Sequence, residues 1–358
     1  MILNRQKITQ ITSIGLVNLI IAISLLGCTN PTQAQEERPL RRLIIERILK
    51  RNPNRATPTT PIATDMALQT LSYQGTTRSY YVYVPSSYQS GKPTPLVLAF
   101  HGGGGSGDRL AASTNLNDVA NREGFVVVYP NGINNQWNDG RSARGSNTNT
   151  DDVGFVSALI DKVVQDKNID KNRIYAVGLS NGGMFTQRLA CQMSNKIAAF
   201  ATVSAALPKN LQSTCNPGRP VPIVMINGTA DRIVPWQGGE VARDIRTRSG
   251  QKPSGVGGEV ISIPATIAFW RGKDGCTVQP STEKLPDTQP DGTQVTRQYS
   301  NCRNSSQVVL YTVDGGGHGW PGSNVNTQTR RGELIGKISK DISASSVVWN
   351  FLKSKTLQ

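Results

Sequence analysis

Gly178-Leu179-Ser180-Asn181-Gly182 is the segment that most narrows what this chain can fold into. Before it runs Arg173-Ile174-Tyr175-Ala176-Val177, a short apolar, β-branched stretch that reads as a buried strand. After it runs Gly183-Met184-Phe185-Thr186-Gln187-Arg188-Leu189-Ala190, whose apolar residues have helical spacing. A strand that turns directly into a helix around a serine needs small residues on both sides of the apex, so that the backbone can bend and lift the hydroxyl above the sheet. In a chain with 35 glycines the pentapeptide is weak evidence by itself. The rest of the sequence must supply a base, an acid and oxyanion donors.

A serine hydroxyl is a poor nucleophile near neutral pH and needs a base beside it. The chain has two histidines, His101 and His318. In enzymes built on this strand-serine-helix turn the partners follow in the order Ser, acid, His, which selects His318. It lies in Asp314-Gly315-Gly316-Gly317-His318-Gly319-Trp320-Pro321-Gly322, just after the expected strand Val308 to Val313. The acid should fall between them. Val221 to Ile226 reads as a strand and leads into Asn227-Gly228-Thr229-Ala230-Asp231, which makes Asp231 the expected partner of the imidazole. Asp274 and Asp314 are the rival carboxylates. The strand Leu96 to Phe100 runs into His101-Gly102-Gly103-Gly104-Gly105-Ser106-Gly107. Backbone N–H groups of Gly103 and Gly104 there, with that of Asn181, are the expected oxyanion donors. A phosphate loop would need the Lys-Ser/Thr of a Walker motif, which is missing. His101 is expected to orient its loop through its ring nitrogens. Trp137, Trp236 and Trp320 fall in loops near strand ends and are candidate substrate contacts, with Asn138 and Asp139 beside the first.

Short apolar strands at Leu96–Phe100, Phe125–Tyr129, Arg173–Val177, Ala199–Val203, Val221–Ile226 and Val308–Val313 alternate with helical patterns, clearest from Val153 to Val164. That alternation predicts an α/β fold with a doubly wound, mostly parallel sheet and helices on both faces. Leu68 to Tyr73 and Arg78 to Val84 read as an antiparallel hairpin around Gly75-Thr76-Thr77. Val347 to Leu352 closes the chain as the end of a last docking helix.

The first residues read as a targeting segment. Arg5 and Lys7 precede an apolar run from Ile11 to Leu26, which ends in Leu25-Leu26-Gly27-Cys28. The expected division is a signal peptide with a lipobox-like end over 1–28, a basic, Pro/Thr-rich linker over 29–66 and a catalytic domain over 67–358. Cys28 would be the lipidated residue and the membrane tether. Cleavage after Thr32-Gln33-Ala34, giving a soluble secreted form, is the rival. Either way the body is expected to work outside the cytoplasm. Cys191, Cys215, Cys276 and Cys302 then form an even set in an exported chain. Three pairings are open, and the one joining sequence neighbours is the simplest. No Cys-x-x-Cys or histidine cluster points to a metal, and the chemistry needs no cofactor. The formal net charge of +15 is spread without interleaved aromatics, so no nucleic-acid partner is expected.

With Tyr81-Val82-Tyr83-Val84-Pro85, Asp151-Asp152-Val153-Gly154-Phe155, the His101 glycine loop, Gly178 to Met184, Asn227 to Asp231 and Gly316 to Gly322 in hand, the chain resembles the exported esterases related to polyhydroxybutyrate depolymerases and feruloyl esterases, an α/β-hydrolase group. The resemblance covers nearly everything from Leu68 to Phe351. It implies the α/β-hydrolase fold, with Ser180 as nucleophile, Asp231 as acid and His318 as base, and it supports the two disulfides between sequence neighbours. Substrates would be hydroxyalkanoate esters, feruloyl or acetyl esters on polysaccharide, or small aryl esters. Asn227 departs from the family, whose members commonly carry histidine there. Two other functions compete. A serine peptidase of the prolyl-oligopeptidase type shares the residue order but needs a propeller repeat, which this chain lacks. A non-catalytic, glycan-binding surface lipoprotein would have no need of all three residues.

Overall fold

The computed structural model describes residues 66–143, 149–243, 245, 256–276, 279–325 and 330–357. The expected signal segment over 1–28, with Cys28, and all of the expected linker except Met66 lie outside the described residues.

The chain opens with a hairpin, β1 (Ala67–Tyr73) and β2 (Thr76–Tyr83). There follow β3 (Thr94–Phe100), α1 (Gly107–Thr114), α2 (Leu116–Glu123), β4 (Val126–Pro130), α3 (Asp152–Asp166), β5 (Ile169–Leu179), α4 (Asn181–Gln192), β6 (Ala199–Val203) and β7 (Ile223–Gly228). Then come a two-stranded ribbon of β8 (Gly239–Glu240) and β9 (Glu259–Val260), α5 (Ile263–Asp274), β10 (Ser281–Lys284), β11 (Gln294–Asn301), β12 (Gln307–Asp314), α6 (Arg330–Ile335) and α7 (Ala344–Leu352). The main sheet has ten strands in the order β1-β2-β4-β3-β5-β6-β7-β12-β11-β10. The six strands from β4 to β12 in that order pair in parallel, and an antiparallel pair extends each edge.

Strand periodicity explains why the central segments read as unbroken apolar runs. In β3, Leu96, Leu98 and Phe100 enter the core on one face while Val97 and Ala99 enter the core on the other. β7 splits the same way, with Ile223 and Met225 opposite Val224 and Ile226. Helices α3, α4 and α5 cover the first face through residues such as Phe155, Phe185 and Trp270. Helices α1, α2 and α7 cover the second through Leu110, Leu116 and Trp349. This is the doubly wound α/β-hydrolase arrangement.

The first hairpin turns at Gln74 and Gly75, both with positive φ (48° and 75°), one step earlier than the sequence pattern implied. Two residues with positive φ match the right-handed twist of the flanking strands. Two strands of the main sheet, β10 and β11, are absent from the sequence reading, as is the ribbon of β8 and β9. β10 is exposed along its whole length and β11 is mostly half-buried, so neither carries an apolar run. Disulfides join Cys191 to Cys215 and Cys276 to Cys302. Among the described residues no helix is long and apolar enough to cross a membrane.

Candidate active site

β5 ends at Leu179 and α4 begins at Asn181, which leaves Ser180 alone at the bend. Its backbone sits at φ 56°, ψ −120°, a conformation disfavoured for a residue with a Cβ. Ser180 N–H donates to Val203 O at 2.9 Å, which anchors the bend to β6. Close packing sets the glycines around it. A Cβ on Gly178 would lie 2.1 Å from Gly182 O, and one on Gly182 would lie 2.3 Å from Phe100 O.

Asp231 lies three residues beyond β7 and His318 four beyond β12. These strands are parallel neighbours, so both loops emerge at the carboxyl end of the sheet, as the Ser180 bend does. Asp231 Oδ1 accepts from the N–H groups of Ile233 and Val234, each at 2.8 Å. Its Oδ2 lies 2.8 Å from His318 Nδ1. That bond assigns the proton to Nδ1 and leaves Nε2 as the acceptor. The carboxylate is 1% exposed and the imidazole 11%, so the pair is open to solvent only from the histidine side. Ala230 N–H donates to Gly316 O at 2.8 Å, and His318 N–H donates to Ile335 O at 2.6 Å, fixing the two loops to each other and to α6. Asp314 instead accepts from Thr229 Oγ1 at 2.9 Å. Asp274 lies at the opposite end of β7, accepting from Val221 N–H at 2.7 Å and from Ser306 Oγ. Among the described residues, then, Asp231 is the carboxylate bonded to His318. No hydrogen bond links Ser180 to His318 among the described residues; both side chains line one cavity of about 550 Å³. In unliganded sites such contacts commonly tighten only with substrate bound.

The glycine loop after β3 reaches the same cavity. His101 Nε2 accepts from Gly132 N–H at 3.0 Å, so its Nδ1 carries the proton and donates to Gly102 O at 2.8 Å. Burial lowers the His101 pKa and keeps the ring neutral. A Cβ on Gly102 would lie 3.3 Å from Ser180 Cβ, so the loop runs directly beside Ser180. Gly104 must be corrected as an oxyanion donor: its N–H donates to Asn135 O at 2.8 Å and is committed to the loop itself. The N–H of Gly103 meets no acceptor among the described residues. Asn181 opens α4, where the first N–H groups have no intrahelical partner.

A buried polar network holds Asn181, and it is the part of the site that sequence reasoning missed. Asn181 Oδ1 accepts from Trp137 N–H at 2.8 Å, and Asn181 Nδ2 donates to Asp139 Oδ2 at 2.6 Å. Arg141 pairs with that same carboxylate at 2.7 Å, both side chains being 2% exposed. Next to them Asn138 N–H donates at 2.8 Å to Asp152, which is paired at 2.7 Å with the buried Arg78. The signal for this network was a run of polar residues, Asn138 to Arg141, that nothing in a linear reading ties to Ser180. Trp137 is corrected as a substrate contact. Its indole is 1% exposed, stacks on Phe185 with centroids 5.1 Å apart, and donates from Nε1 to His101 O at 3.1 Å. Trp236 packs half-buried against the core and does not line the cavity. Trp320 does line it, with its Nε1 donating to Ser345 Oγ at 3.1 Å. Asn227 is buried and donates to Ala205 O at 3.1 Å, a packing contact under the His318 loop.

A family model described as esterase PHB depolymerase matches residues 78–268, more than half of the chain and including Ser180 and Asp231. The chain belongs to this esterase family. It is accordingly a carboxylic ester hydrolase. Over 281 residues this PHB depolymerase-type esterase is 29% identical to a protein of Nocardia uniformis subsp. tsuyamanensis assigned as the esterase NocK, which covers 78% of this chain and 80% of that one. It is 28% identical over 247 residues to feruloyl esterase B of Piromyces equi, covering 67% of this chain. The chain spans 42% of that relative's length. Among solved structures it is similar to the acetyl xylan esterase from Aspergillus awamori, at 15% identity and a TM-score of 0.47, covering 75% of this chain and 98% of that one.

Proposed function

We propose that this carboxylic ester hydrolase works through a serine acyl-enzyme. Ser180 is the nucleophile, His318 the base and Asp231 the residue that orients and stabilises the imidazole. The observation that carries the reading is the 2.8 Å contact from Asp231 Oδ2 to His318 Nδ1, in a cavity that the strained Ser180 also lines. Ser180 Oγ attacks the ester carbonyl as its proton passes to His318 Nε2. The N–H groups of Gly103 and Asn181 hold the oxyanion. The alcohol departs with the proton from Nε2, and water, deprotonated by the same nitrogen, releases the acid and restores the serine.

The cavity wall favours one substrate class among those the family suggests. Leu179, Ile233, Val241, Val256 and Ile338 make it largely aliphatic, and Trp320, which apart from the imidazoles of His101 and His318 is the one aromatic side chain among the described lining residues, is 3% exposed. Such a wall suits short aliphatic or hydroxyalkanoate acyl groups better than a flat feruloyl ring. The relatives named for feruloyl esters support the second class, feruloyl or acetyl esters of polysaccharide. We further propose the division into an exported leader over 1–28 with Cys28 lipidated, a linker over 29–66 and a catalytic body over 67–358, with the two disulfides as support for export. Hydrolysis rates on 4-nitrophenyl butyrate, methyl ferulate, acetylated xylan and hydroxybutyrate oligomers test the reading. The aliphatic and hydroxybutyrate esters should turn over fastest. Faster turnover of methyl ferulate would reverse the substrate assignment.

A further inference from the structure

Gln136 holds a side-chain amide that the triad chemistry leaves unused. The residue is 8% exposed and lines the active-site cavity. No protein group among the described residues bonds its amide, and neither amide atom is among the fully buried unpartnered ones, so the amide tip faces the cavity. Its backbone, by contrast, is fixed on every side. Gln136 N–H donates to Ile133 O at 3.0 Å, Asn135 O accepts from Gly104 N–H at 2.8 Å, and Trp137 N–H donates to Asn181 Oδ1 at 2.8 Å. Gly132 leaves no room for a side chain against this segment, since a Cβ there would lie 2.4 Å from Gln136 O.

The amide has a defined address relative to the nucleophile. A Cβ placed on Gly103 would lie 3.0 Å from Gln136 Oε1 and 3.2 Å from Nε2. The neighbouring residue, Gly102, is the one against which Ser180 packs. One residue of chain, ~3.8 Å between Cα atoms, therefore separates the position abutting Ser180 from the position abutting Gln136. The amide thus stands beside the oxyanion loop and is displaced along it from the nucleophile. Among the aliphatic side chains and the polar Ser106, Arg109, Ser113, Arg141 and Ser323 of the lining, it offers both a donor and an acceptor beside the loop that abuts Ser180.

We propose that Gln136 is a specificity residue that hydrogen-bonds an oxygen-bearing group, a hydroxyl or carbonyl, carried by the ester close to its reacting carbonyl. The proposal rests on Ser180 being the nucleophile of that cavity. It selects oxygenated esters over plain alkyl esters of the same size, because a bound alkyl ester displaces solvent from the amide and leaves it without a partner.

The test uses two ester pairs that differ by one hydroxyl. The acyl pair is 4-nitrophenyl butyrate and 4-nitrophenyl 3-hydroxybutyrate. The alcohol pair is ethyl butyrate and 2-hydroxyethyl butyrate. For at least one pair, wild-type kcat/KM should favour the hydroxylated member by about fivefold or more, and Gln136→Met should bring that ratio close to unity. Gln136→Glu, nearly isosteric, should also alter the ratio and guards against a Met variant that does not fold. The pair that responds locates the recognised oxygen on the acyl or the alcohol side. Ratios equal in wild type and variants, for both pairs, overturn the proposal, as does a wild type that discriminates neither pair. Labelling of wild-type Ser180 by a fluorophosphonate is read in parallel. Labelling with unchanged ratios removes only the role of Gln136, whereas failure to label removes the nucleophile assignment and the proposal with it.

Discussion

Strand β7 has a buried aspartate near each end, and the two differ in what surrounds them. Asp231, past the carboxyl end, is held by two backbone N–H groups and presents its second oxygen to His318 at the edge of a cavity. Asp274, at the amino end, is fully buried and directs its oxygens at Val221 N–H and Ser306 Oγ, two residues from the Cys276–Cys302 disulfide. Burial pushes the Asp274 carboxyl up to about 6, against the lowering pull of Ser306, Val221 N–H and Arg219. One carboxylate is aimed at an imidazole that lines the cavity, and the other ties strand, helix and loop together. An aspartate in a polar loop is ambiguous until its partners are known. In an open parallel sheet, the end of the strand on which it sits decides between the two uses.

Breaking the chemical end should have the largest effect. Ser180→Ala should lower kcat by about 10⁶-fold. Asp231→Asn, which keeps an acceptor for Ile233 and Val234 but disturbs the imidazole tautomer, should lower kcat by about 10⁴-fold. A stopped assay with 4-nitrophenyl butyrate measures both. A Tm within about 4 °C of wild type would show that the loss is chemical and not unfolding.

The structural end should respond in stability and not in rate. Replacing Cys276 and Cys302 together by serine opens a loop with a sequence separation of 26. It should cost about 3 kcal/mol by chemical denaturation while kcat of the folded fraction stays at the wild-type value. A pH-dependent effect, at most of similar size, belongs to Asp274. Its folded pKa is raised above the unfolded 3.8, so the folded state holds its proton more tightly. This stabilising contribution is complete below about pH 4 and is lost as pH rises through about 6. Asp274→Asn has no charge to bury. Its stability relative to wild type should therefore improve as pH goes from 4 to 7, by up to about 3 kcal/mol. A difference that stays flat over that range would remove the desolvated carboxylate from the account.

The sequence made the central strands and the Ser180 turn legible because both depend on local pattern: apolar runs for strands buried on two faces, and small residues where backbone meets backbone. Gly178 and Gly182 show the second case, since any side chain there would strike Gly182 O or Phe100 O. The scarcity of histidine singled out His318, which the structure pairs with Asp231 at the cavity. The Trp137–Arg141 segment was not legible, because its value lies in contacts with Asn181 and Asp152, as far as 44 residues away. Its tryptophan looked like a binding surface, yet it packs beneath the site. Gly104 misled for a related reason: a glycine run advertises N–H groups without saying which ones the loop uses for itself. Strands β10 and β11 were invisible because neither the exposed edge strand β10 nor the mostly half-buried β11 beside it carries an apolar run.

The central claim is that Ser180, activated by His318 and oriented by Asp231, is the reacting group. Intact-protein mass spectrometry with a fluorophosphonate probe, followed by peptide mapping, tests it most directly. The account predicts one adduct per chain, located on Ser180, formed at least about 100-fold more slowly in Asp231→Asn and absent in Ser180→Ala. An adduct on another residue, no adduct on native wild-type protein, or labelling equally fast in Asp231→Asn would contradict it.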